Sequence, residues 1–95
     1  MTWRRLERMT VFQLVRLVLN EKDQIVARVP LQPVFELRED AMAMAEFGAA
    51  RSNGEFRYDS EHDCWCATDA NGRACRFVVE AIEIEPGKMR AHMAA

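Results

Sequence analysis

Glycine is scarce in this chain, with four residues among 95, and they lie far apart at Gly48, Gly54, Gly72 and Gly87. A phosphate-cradling loop needs several positions without a Cβ in close succession, so this spacing argues against a nucleotide site. No HExxH helix and no Gly-x-Ser-x-Gly nucleophile elbow occur either. The chain therefore reads as non-enzymatic, with no cofactor expected.

Cysteine is sparse and odd in number. Three thiols, Cys64, Cys66 and Cys75, cannot all pair within one chain. They do not form the disulfide framework of a small secreted domain. The redox motif CxxC is missing. Residues 1–8 lack the apolar core and small-residue cleavage site of a secretory signal. The expected location is the reducing cytoplasm.

Excess positive charge is also missing. Thirteen Lys and Arg stand against fifteen Asp and Glu, a net charge of −2. That balance speaks against nucleic acid, whose binders carry a basic face. The arginines that could form one are Arg4, Arg5, Arg8, Arg57, Arg73 and Arg76, with Tyr58 nearby. Nucleic-acid binding through them is the third and weakest functional reading. No long hydrophobic run occurs. The longest, around Val11 to Leu19, is interrupted by Gln13 and Arg16 and is too short to span a bilayer, so no membrane association is expected.

What remains has the composition of one folded domain: 49% hydrophobic and 29% charged residues. A chain of this length holds a single core. Residues 9–85 form the expected domain, between a flexible basic leader (1–8) and a mobile tail (86–95). Two readings of the leader stay open: an upstream extension of a chain that starts at Met9, or a helical turn docking Trp3 and Leu6.

Thr10 to Leu19 has strand composition. Val11, Val15, Leu17 and Leu19 share one face with Gln13, whereas Phe12, Leu14 and Val18 share the other with Arg16. Apolar residues on both faces predict a central strand, or one with a face covered by a partner chain; a helix over Trp3 to Leu17 is the second reading. Asn20-Glu21-Lys22-Asp23 is a turn, and Gln24 to Val29 a second strand. Pro30 and Pro33 lack an amide proton and are expected to end regular pairing. Leu31 to Leu37 then forms an extended connection anchored by Val34, Phe35 and Leu37.

Arg38 to Arg51 predicts a helix. Glu39 and Asp40 suit the positive end of its dipole, Arg51 the other, and Ser52-Asn53-Gly54 is a stop signal. Ala41, Met44, Ala45 and Gly48 recur at helical spacing and form a small-residue face for close packing, with Phe47 at its border. Glu55 to Asp59 reads as a short strand and Ser60 to Asp63 as a loop.

Cys64 to Val79 reads as a hairpin around Asn71-Gly72. A two-residue turn would pair Ala70 with Arg73 and scatter apolar side chains over both faces. A three-residue loop, with Gly72 in the left-handed region, pairs Asp69 with Arg73. Trp65 then faces Phe77 and Ala67 faces Cys75 on one side, with Cys66 opposite Arg76 on the other. One register step exchanges the faces, and the second choice gathers the apolar groups. Burying Trp65 would remove roughly 200 Å² of surface, a gain on the order of 4 kcal/mol. The second strand is expected to run through Ala81, Ile82 and Ile84 to Pro86-Gly87.

The fold expected is α+β in two layers: an antiparallel sheet of four or five strands, with one helix (38–51) on one face, in the order ββαβββ. One helix leaves the other face open, with Val78 and about half the apolar residues of the first hairpin on it. That surface predicts a homodimer or an unidentified protein partner, and a structural or interaction module is the first functional reading. The alternative is a thiol-redox or metal protein. His62, Cys64 and Cys66 alternate along one strand face and are acceptable zinc ligands. The outer two would be about 13 Å apart on a straight strand, and no second pair completes a site. Arg76 opposite Cys66 would favour a thiolate there. Asp59, Glu61, Asp63 and Asp69 form an acidic region without the ligand order of a calcium loop.

Overall fold

Five strands and one helix follow one another as β1 (Met9–Leu19), β2 (Ile25–Phe35), α1 (Arg38–Arg51), β3 (Phe56–Asp59), β4 (Cys64–Thr68) and β5 (Ala74–Ile84). The computed structural model describes residues 8–52 and 55–85. The leader up to residue 7, the tail from 86 on and the Asn53-Gly54 part of the stop signal lie outside the described residues. The strands form a single antiparallel sheet in the order β2-β1-β5-β4-β3, and α1 packs on one face. This is the expected α+β architecture in the order ββαβββ. The two-sided apolar strand β1 lies between β2 and β5, inside the sheet.

The prolines do not end pairing. Pro30 stands opposite Val15, and the ladder continues to Val34 opposite Gln13 and Phe35 opposite Phe12. The expected connection after Val29 is thus the second half of β2. Two physical features permit this. β2 is an edge strand, where one side needs no ladder donors. Between Gln13 and Leu14 the partner also jumps from Val34 to Leu31. Gln32 and Pro33, joined by a cis bond, are thereby left out of the ladder in a local bulge.

The β4–β5 hairpin has the three-residue loop. The Asp69 amide donates to the Arg73 carbonyl at 2.8 Å, and the Gly72 amide to the Asp69 carbonyl at 2.9 Å. Gly72 has φ +79°, the left-handed region that glycine enters without a Cβ penalty. The Asp69 carboxylate accepts from the Asn71 and Arg73 amides, each at 2.9 Å, and bonding to the anion holds its pKa below the usual carboxylate range. Trp65 pairs with Phe77 and Ala67 with Cys75 as expected.

Under the helix, Leu14, Ala45, Ala49, Ala67, Cys75 and Phe77 form one core cluster, with Leu31, Trp65 and Val79 against it. Small helix residues let α1 lie close to the sheet. A Cβ on Gly48 would stand 3.0 Å from Phe77 Cε2. The helix face is rotated from the expected one. Ala41, Ala45 and Ala49 are buried, whereas Met44 and Phe47 are exposed. The Phe77 ring beneath Gly48 sets that rotation. Phe47 instead carries the Arg51 guanidinium, 5.5 Å from its ring centroid.

Trp65 is only half-buried, so the expected burial is incomplete. It lies on β4, one strand from the edge, while the helix covers Phe77 on β5. Its ring packs sideways against Phe56 and Tyr58, with centroids at 6.0 and 5.5 Å. Phe77, not Trp65, is the buried aromatic of this core.

Candidate functional site

The sheet face away from α1 follows from register. Cross-strand partners share a face, so the strand pairings assemble rows across the sheet. One row runs Asp59, Cys64, Val78, Val15, Pro30, and its neighbour Arg57, Cys66, Arg76, Leu17, Arg28. On the other side of the first row, Glu80 stands opposite Gln13. Beyond it, Val11, Val34 and Ile84 form a second buried cluster with Met9 and Ile82.

This face is less open than the sequence suggests. Val11, Val15 and Leu19 are buried, while Leu17 and Val78 are half-buried. Arg28 on β2 and Glu80 on β5 form an ion pair that crosses β1 diagonally, and Val15 lies beneath that diagonal.

At the β3 end of the rows stands the cysteine corner. A four-residue turn joins β3 to β4, with Asp63 in the left-handed region at φ +51°. Both sides of the turn are tied down. Toward α1, Asp63 accepts from the Tyr58 hydroxyl and from the Arg38 guanidinium. The Tyr58 bond holds the Asp63 carboxyl low and pushes the Tyr58 hydroxyl up. Toward the open face, Asp59 accepts from the Glu61 amide at 3.0 Å and from His62 Nδ1 at 2.8 Å. The His62 contact holds the Asp59 carboxyl below its ordinary range.

The weak metal candidates His62, Cys64 and Cys66 do not form one group among the described residues. The turn carries the imidazole out to Asp59, so two overlapping groups form. One contains Asp59, Cys64 and Cys66, the other Asp59, Glu61 and His62, with the ligand atoms of each group within 4.8 Å of one another. Asp59 belongs to both and was missing from the trio. Its signal was available in sequence only through pairing: a strand ending at Asp59 and a turn of four residues place it opposite Cys64.

The three thiols differ. Cys64 is fully buried, and that burial, with the neighbouring Cys66 thiol, pushes its pKa up to about 11. Burial also raises Cys75, which lies under the helix. Cys66 is half-buried, between Arg57 and Arg76 in the register.

Other candidate groups are dispersed. Arg57 and Arg76 share the open face, whereas Tyr58 is on the helix face with its hydroxyl engaged by Asp63. Arg73 stands at the hairpin loop, and Arg4 and Arg5 lie outside the described residues. A hollow of about 780 Å³ between the β1–β2 and β4–β5 turns is lined by Glu21, Lys22, Asp23, Asn71 and Arg73. A groove of about 740 Å³ beside α1 is lined by Met42, Tyr58 and Trp65, with Arg38, Glu39 and Glu46 at its rim. Neither holds a cysteine or histidine. Among the described residues, no helix is long and apolar enough to cross a membrane. Comparison with protein-family models, curated proteins and solved structures finds no match for the chain.

Proposed function

We propose that this protein is a non-enzymatic interaction module that pairs with a second copy of itself through the sheet face opposite α1. The observation that carries the reading is the layout of that face. The half-buried Val78 and the buried Val15 lie at its centre, with the half-buried Leu17 beside them in the arginine row. Arg57, Arg76 and Arg28 occupy one flanking row, and Glu80 the other. Closed dimers use the same patch on both copies, so the patch must complement itself. A two-fold axis running across the strands sets the arginine row of one copy over Glu80 of the other. An axis along the strands would set arginine on arginine and is disfavoured.

The area is adequate. Five strands spaced about 4.8 Å apart, and four rows about 6.8 Å apart, give on the order of 650 Å² per copy. Standard interfaces bury about 800 Å² per partner. The test is sedimentation across the accessible concentration range, comparing the native chain with Val78→Glu and Leu17→Glu. A concentration-dependent dimer that both substitutions dissociate, without loss of the native circular dichroism, is the expected result. A native chain that stays monomeric at the highest concentration overturns the reading.

A further inference from the structure

We infer that Cys64, Cys66 and Asp59 form a binding site for a single thiophilic divalent cation of the zinc class. The site stands at the β3 end of the face proposed to pair with a second copy, in the rows that carry Arg57 and Arg76, and its test reads metal rather than oligomeric state. It goes beyond the ligand trio visible in the sequence, because a carboxylate replaces the histidine.

Four observations converge. First, two Sγ atoms and a carboxylate oxygen lie within 4.8 Å of one another. A tetrahedral zinc ion, with metal–sulfur bonds of about 2.3 Å, needs its ligand atoms about 3 to 4 Å apart. Shifts of about 1 Å or less therefore close the site. Second, the site is built on paired strands rather than on a loose loop: Asp59 stands opposite Cys64 at the β3–β4 junction. Third, Asp59 is oriented by other groups. Its carboxylate accepts from the Glu61 amide and from His62 Nδ1. Partners that fix a ligating carboxylate are a regular part of metal centres. Fourth, two thiolates, one carboxylate and a divalent ion sum to one negative charge. Arg57 and Arg76, which flank Cys66 in the register, supply the opposite sign.

Binding exchanges protons for metal. For each coordinating thiol the S–H bond breaks and a metal–sulfur bond forms, so two protons leave per ion bound. Entry is from the side of Cys66 and Asp59, since Cys64 itself is sealed. The fourth position belongs to water. His62 is a positioning residue, holding Asp59 without touching the ion.

Cobalt(II) is the probe, because its thiolate complexes absorb in the near ultraviolet. Titration of the reduced full-length chain with cobalt is expected to saturate at one ion per chain with a thiolate charge-transfer band. Zinc should abolish that band by displacement, with release of two protons per chain in weak buffer. Cys66→Ser and Cys64→Ser should each abolish the band, and Cys75→Ser should leave it intact. His62→Ala should weaken binding 10- to 100-fold, about the usual effect of losing a ligand's supporting partner. Cys66 is half-buried, so its serine variant should remain folded even where Cys64→Ser does not. The absence of a saturating band, or a band that survives Cys66→Ser or disappears in Cys75→Ser, overturns the inference.

Discussion

The two faces of this sheet are sealed by different materials. On the helix side, Phe77 is covered by backbone and small side chains, with Gly48 close against its ring and Ala45 and Ala49 in the same cluster. On the other side, Val15 is inaccessible as well, and what the register sets across it is a pair of charged side chains, Arg28 and Glu80. A helix is a permanent cover, because removing it means unfolding. An ion pair is a cover that water or a partner can replace, since both side chains remain substantially exposed, at 50% and 37%. Equal burial therefore does not mean equal commitment. This difference makes the second face the better candidate for an interface.

Phe77→Ala offers the strongest test of that contrast. It leaves a void under a helix that cannot collapse freely, and a loss of about 3–5 kcal/mol is expected in denaturant unfolding. A loss below about 1 kcal/mol would show that the helix is not the fixed cover. Val15→Thr is the counterpart on the other face. It keeps the shape but introduces a hydroxyl, and an unpaired buried hydroxyl costs about 1–3 kcal/mol. If water or the ion pair readily reaches the site, the cost falls toward zero.

Removing the cover itself should matter less still. An exposed pair contributes about 0.2–1 kcal/mol, so a double-mutant cycle of Arg28→Ala and Glu80→Ala should give a coupling below about 1 kcal/mol, reduced further by salt. A larger, salt-independent coupling would make the pair a structural lock.

The smallest effect on stability at neutral pH concerns the cysteines. The folded Cys64 thiol has its pKa raised from an ordinary value of 9.0 to about 11. A raised value favours the neutral form in the fold, so the stabilisation is complete below pH 9 and is lost as pH climbs toward 11. Native-state alkylation at pH 8 should accordingly modify Cys66 before Cys64 or Cys75, as read by peptide mass mapping. Faster reaction at Cys64 would show that its seal is open.

Local signals in the sequence are strong where chemistry constrains the backbone. Asn71-Gly72, with Asp69 two residues before, specifies the hairpin loop, because glycine accepts a positive φ and the aspartate caps the turn amides. The helix from Arg38 to Arg51 is equally readable from its formers and its charged ends. Pro30 misled, because a proline ends a central strand but is tolerated at an edge, and Pro33 interrupts the pairing only locally. Edge position is decided by which strands pair, which no local pattern reveals. The same holds for the cysteine corner. Alternation along one strand grouped His62 with Cys64 and Cys66 although strand spacing kept the outer two apart, and the turn geometry takes the imidazole to Asp59.

The sequence by itself determined the element order, the loop of the β4–β5 hairpin and the division of its cysteines between two faces. These depend on interactions within a few residues or on the period-two alternation of a strand. The tertiary structure alone decided which helix face turns inward, that Phe77 rather than Trp65 is sealed, and that Asp59 joins Cys64 and Cys66. It also placed an ion pair over Val15. The helix face, the sealed Phe77 and the ion pair depend on strands far apart in the chain coming into register, whereas Asp59 meets the cysteines through the conformation of the β3–β4 turn, which residue spacing does not reveal.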